Sequence, residues 1–114
     1  MDKKVNALQR RIEKIKTELV SLGNLRPGSL SEQYNVCGKS GCRCKADPSQ
    51  RHGPYYQLGW TRKRKSTTRF VRRPNLSEVR RQLKTYKRLQ SLVDRWVDLS
   101  IQLCELNLRR DKQE

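Results

Sequence analysis

Carboxylates are scarce in this 114-residue sequence, eleven against 27 lysines and arginines, and histidine occurs once. General acid–base chemistry and two-metal hydrolysis need clustered carboxylates or a histidine free to carry a proton, so the shortage argues against an enzyme. There is no phosphate-cradling glycine loop and no nucleophile elbow, and a small-molecule substrate is not expected. No apolar run approaches the roughly 20 residues that cross a bilayer, which leaves membrane insertion out. The N-terminus lacks the apolar stretch of a secretion signal, and three of the four cysteines crowd into one short segment. A disulfide framework is therefore not expected, and a reducing cytoplasm is. Apolar residues are few as well: 33% hydrophobic against 33% charged is poor material for a large core. One domain over residues 1–114 is expected, helical with a small satellite part, steadied by a metal or by self-association.

What the sequence has in excess is positive charge, +16 overall, and it is unevenly spread. Residues 54–90 hold twelve basic side chains and one acidic, eleven of the sixteen net charges in 37 residues. An excess this local is an electrostatic footprint for a polyanion, of which nucleic acid is the commonest in a cytoplasm.

Two segments carry helical periodicity. In residues 1–23, Val5, Leu8, Ile12, Ile15, Leu19 and Leu22 alternate spacings of three and four, an a/d stripe for one partner helix. Asp2 is placed to cap its start, and Gly23 and Pro27 to end it. In residues 74–114 a second helix is expected from Asn75, with Glu78 three residues on completing a variant capping box. Neither Gly nor Pro follows as far as Arg110, so this helix reaches about 50 Å at about 1.5 Å per residue. It carries two apolar stripes: Leu76, Val79, Leu83, Tyr86, Val93, Val97 and Cys104 on one, and Leu89, Leu92, Trp96, Leu99, Leu103 and Leu106 beside it. Cys104 falls where a small buried hydrophobe is the default. The first helix, about 30 Å long, is too short to bury both stripes, so an antiparallel helix pair plus a second copy of the chain is expected.

Residues 24–73 form a non-helical insert. YYQLGW and TTRFV are rich in aromatic and β-branched residues and predict two short strands. The turn joining them contains Arg62, Lys63, Arg64 and Lys65 in succession, with no glycine. Upstream, Cys37, Cys42, Cys44 and His52 have the spacing C-x4-C-x-C-x7-H, which is no standard zinc-finger spacing. The residue types are those of a closed tetrahedral zinc site, three thiolates and an imidazole. Gly38 and Gly41 allow tight turns between ligands, while Lys39, Arg43 and Lys45 offset the site's negative charge and favour thiolates. A redox pair of Cys42 and Cys44, an iron–sulfur centre and unligated cysteines are the alternatives. Gly53-Pro54 is placed to turn the chain into the first strand.

The run LRPGSLSEQYNVCGKSGCRC, followed by HGPYYQL and STTRFV, resembles a widespread family of short, uncharacterised prokaryotic proteins, some associated with mobile elements. The likeness spans about residues 25–110. It implies a single unit in a prokaryotic cytoplasm and carries no established activity. Many members of that family have a glycine in the hairpin turn where this chain has Arg62–Lys65.

The fold expected is thus mainly α with a small β insert, an antiparallel coiled-coil-like pair of long helices bracketing a zinc-stabilised β-hairpin. The function expected is a homodimeric nucleic-acid binder, DNA favoured over RNA. Phosphate contacts fall to Arg62, Lys63, Arg64 and Lys65 at the turn, Arg69, Arg72 and Arg73 on the second strand, and Arg80, Arg81, Lys84, Lys87 and Arg88 on the helix. Tyr55, Tyr56 and Trp60 are candidates either to stack on bases or to fill the hairpin core. A coiled-coil adaptor for an acidic protein and an RNA- or ribosome-associated binder are the rival readings.

Overall fold

A computed structural model describes residues 3–35 and 52–113. In chain order it contains helix α1 (Lys3–Ser21), strands β1 (Ser29–Asn35), β2 (His52–Arg62) and β3 (Lys65–Val71), a 3-10 turn at Arg73–Asn75, and helix α2 (Leu76–Gln113). The mainly helical architecture follows expectation, but the insert is a three-stranded antiparallel sheet, not a two-stranded hairpin. The chain divides into two compact units, one of residues 1–25 with 84–114 and one of residues 26–83.

In the helical unit, the expected stripe of α1 is the buried one. Leu8, Ile12 and Ile15 form a core with Leu92 and Leu99, edged by Leu19, Leu22, Trp96, Leu103 and Leu106. The α2 stripe that includes Leu92 and Leu99 therefore faces α1. The neighbouring stripe is buried at its start, at Leu76 and Val79, but opens further along: Val93 and Val97 are exposed, as are Ile101 and Leu108 beside it, and so is Cys104, which was expected to be buried. Cys104 lies on the flank of α2 that α1 does not cover.

Outside this core the helices are joined by Arg88, whose Nε and Nη2 donate to the two carboxylate oxygens of Glu18, the latter at 2.8 Å. Lys16 adds a cation–π contact, its Nζ 5.3 Å from the centroid of the Trp96 ring. The hydrogen bond from Arg88 holds the Glu18 carboxyl below its usual range, slight desolvation opposes this, and the positive charges of Arg88 and Arg95 reinforce it. A carboxyl whose pKa is depressed by folding stabilises the fold above its unfolded value and ceases to do so as pH falls through the folded one. The melting temperature of Glu18→Gln is therefore expected to lie below that of the parent at neutral pH and to converge with it in acid. Thermal melts followed by circular dichroism from pH 7 down to about 3 check this.

The capping box expected at α2 is not formed. The Asn75 N–H donates to the Arg72 carbonyl at 2.9 Å, closing the 3-10 turn. Glu78 turns forward along the helix, accepting from Arg81 Nη2 and from Gln82 Nε2. With Asn75 already satisfied locally, the carboxylate is free to pair with the cation one turn on.

The sheet has the order β1-β2-β3, with β2 central. β1 was unforeseen. It pairs with β2 from Ser29↔Gly59 to Gln33↔Tyr55, and the ladder shifts before Asn35↔His52. Gly53 and Pro54 sit in that shift, inside β2 and not in a turn before it, joined by a cis peptide bond. An interrupted ladder suits a residue with no N–H to donate. At the other end of β1, Gly28 adopts φ 126°, and a Cβ there would stand 2.5 Å from the Gly59 carbonyl oxygen. Only glycine lets the chain enter the sheet so close to β2. No helix of the described residues is long and apolar enough to cross a membrane.

Candidate nucleic-acid interface

The hairpin between β2 and β3 closes in two residues. Arg62 pairs with Lys65, leaving Lys63 and Arg64 as the turn, both in the left-handed region at φ 51° and 67°. Positive φ at both central residues is the mark of a type I′ turn, whose twist matches that of the flanking strands. Such turns favour Asn-Gly, because a side chain with a Cβ at positive φ costs on the order of 1 kcal/mol. Here two long cations occupy those positions. Arg62 through Lys65 are all exposed, and none has an ion-pair partner among the described residues.

Strand register sorts the remaining side chains onto two faces. Tyr56, Leu58 and Trp60 of β2 share one face with Leu30 of β1 and with Thr67, Arg69 and Val71 of β3. At its centre Leu58 is wholly buried, while Arg69 and Glu32 of β1, which also point to this side, are exposed. The Arg26 guanidinium lies 4.8 Å from the centroid of the Trp60 ring, and the Arg80 guanidinium 5.9 Å from that of Tyr56. The Arg26 N–H also donates to the Gln82 carbonyl, tying the segment before β1 to α2. Tyr56 and Trp60 thus belong to the packed side of the sheet, each under an arginine.

The opposite face carries Tyr55, Gln57, Gly59 and Thr61 of β2, flanked by Ser29, Ser31 and Gln33 of β1 and by Ser66, Thr68 and Phe70 of β3. Its polar groups are fixed to one another. Gln33 Nε2 donates to Gln57 Oε1 at 2.7 Å, Ser31 Oγ donates to the Gln57 carbonyl at 3.3 Å, and the Thr61 and Ser66 hydroxyls are 2.8 Å apart. Two aromatic rings stand out from this polar floor, Phe70 at 64% exposure and Tyr55 at 43%.

The expected cations do not form one set. Arg62, Lys63, Arg64, Lys65, Arg69, Arg72, Arg73, Arg80 and Arg81 belong to the unit that holds the sheet, whereas Lys84, Lys87 and Arg88 belong to the helical unit. Within the first group Arg69 is in β3, but Arg72 and Arg73 fall after its end, Arg73 within the 3-10 turn. Arg80 is engaged with Tyr56, Arg81 with Glu78, and Arg88 with Glu18. The hairpin-tip cations, like Arg69, Arg72 and Arg73, have no ion-pair partner among the described residues. Of the expected zinc ligands, Cys37, Cys42 and Cys44 lie outside the described residues, as does the side chain of His52. Among the described residues no group of His, Cys, Asp and Glu is placed to hold a metal. Phe70 and Arg26 were missed: alternation within TTRFV could have marked Phe70, but nothing local links Arg26 to Trp60.

A family profile described as a domain of unknown function, DUF6788, matches residues 5–81. The chain belongs to this family. The matched range takes in α1, the sheet and the first turns of α2, and it ends short of the likeness noted to about residue 110. No curated protein and no solved structure matches the chain.

Proposed function

We propose that this DUF6788 protein binds nucleic acid, DNA in preference to RNA, through the sheet-bearing unit, and that it is not an enzyme. The observation that carries the reading is the hairpin tip. Two cations held at positive φ, where glycine or asparagine would cost less, are local strain retained at a place where only their charge is useful. Arg69, Arg72 and Arg73 extend the positive charge along β3 and beyond it. Salt-dependent binding to a random duplex supports this reading over a coiled-coil adaptor for an acidic protein, and competition between DNA and RNA of equal length separates it from an RNA binder.

Zinc held by Cys37, Cys42, Cys44 and His52 is part of the proposal, in a structural role. The support lies in the ligand set and in the strand register, because Asn35 and His52 are paired across β1 and β2. The described residues on either side of the three cysteines are therefore neighbours in the sheet, and Cys37 follows Asn35 by two residues.

A homodimer is proposed through the open flank of α2. Val97 and Ile101 are 50% and 56% exposed and line a groove with Val93, Trp96 and Cys104. A contiguous apolar strip of this kind is unusual on a monomer. Sedimentation equilibrium at micromolar concentration is expected to give two chains per particle, and Val97→Glu with Ile101→Glu to give one while the helical signal is kept. A monomeric parent protein would overturn the dimer.

A further inference from the structure

We infer that the open face of the sheet is a stacking platform for the bases of single-stranded DNA, an inference that rests on the nucleic-acid reading above. Register puts Phe70 directly opposite Gln57, two residues from Tyr55 on the same face, so the two rings are diagonal neighbours. Neither fills a core. Tyr56 and Trp60 are turned to the other side, each under an arginine. Exposed aromatics on an antiparallel sheet are suited to unpaired bases, since every base has a π-face and stacking requires no particular sequence.

Charge complementarity selects the occupant. The only acidic residue in the basic segment 54–90 is Glu78, and it is held by Arg81 and Gln82. Phe70 lies five residues from Lys65, about 17 Å along an extended strand at about 3.4 Å per residue. A strand of a few nucleotides spans that distance, with its phosphates at the cationic tip and its bases over Phe70 and Tyr55. An acidic peptide would satisfy the tip but would leave the two rings unused. A base-paired duplex keeps its bases stacked on one another and out of reach.

The test compares three probes of equal length bound by the full chain at the same salt: oligothymidylate, an abasic deoxyribose-phosphate strand, and a duplex. Oligothymidylate is expected to bind at least about tenfold more tightly than the abasic strand. Tyr55→Thr with Phe70→Thr, which keeps strand propensity on an exposed face, should erase that advantage and leave abasic binding unchanged. Phe70→Trp should preserve it, with indole fluorescence quenched by oligothymidylate and not by the abasic strand. Equal affinity for all three probes in the parent protein overturns the platform and leaves the charge-based reading standing. Binding to none of them overturns both. If the threonine pair changes the oligomeric state and spares the oligothymidylate advantage, the face belongs to a second copy and the platform is likewise overturned.

Discussion

Replacing Arg62, Lys63, Arg64 and Lys65 together by serine is expected to flatten the dependence of log affinity on log salt by about two to four units, since each phosphate contact on duplex DNA contributes about 0.9. At about 100 mM salt that amounts to a loss of about a hundredfold or more. Serine at all four positions also alters the turn, so a second variant separates charge from fold. Lys63→Asn with Arg64→Gly removes two cations but installs the residues a type I′ turn prefers. Relief of left-handed strain at two positions, on the order of 1 kcal/mol each, should raise the melting temperature by several degrees while affinity falls. Opposite signs for stability and binding in one variant are hard to obtain from a merely structural turn. Serine at Lys3, Arg10, Arg11 and Lys14 removes the same charge from α1 and is expected to change the slope far less. An equal loss from both sets would mean diffuse attraction without a dedicated face.

The helices were legible because their signals are local. A stripe at spacings of three and four and the absence of Gly and Pro after Leu76 fix α1 and α2 to within a residue or three. β1 was not legible, because SLSEQYN has neither β-branched residues nor a strong alternation. It is a strand because β2 supplies it with hydrogen-bond partners, and those partners lie 17 to 30 residues away in sequence. The same limit applies to the candidate site. Charge at the tip could be read directly, but which tyrosine faces solvent could not. Tyr55 and Tyr56 are adjacent, and a register slip of one residue exchanges them between the packed face and the open one. The fates of Arg80, Arg81 and Arg88 were hidden for a related reason. A count of cations does not reveal which already have a ring or a carboxylate to hold.

One zinc per chain is the other large effect expected. Binding in structural zinc peptides is worth about 10–16 kcal/mol near neutral pH, comparable to the entire folding free energy of a domain, about 5–15 kcal/mol. Elemental analysis of protein purified without added metal should give close to one equivalent, and Cys42→Ser should lose it. Less than half an equivalent, with all four cysteines titrating freely, would overturn the site. The two compact units predict where the loss is felt. Leu8, Ile12, Ile15, Leu92 and Leu99 form a core of their own, so the helix pair should keep its far-ultraviolet signal when a chelator removes the metal. Among the described residues, the sheet unit has less to fall back on: its buried apolar residues there are Leu58, Leu76 and Val79. Trp60 reports on the sheet, and Trp96, beside the helical core, reports on the other unit. With Trp96→Phe as background, chelation should shift the remaining indole fluorescence toward that of solvent-exposed tryptophan, and with Trp60→Phe it should not. If both backgrounds shift together, the two units share a single cooperative transition, and the metal supports the helices as much as the sheet.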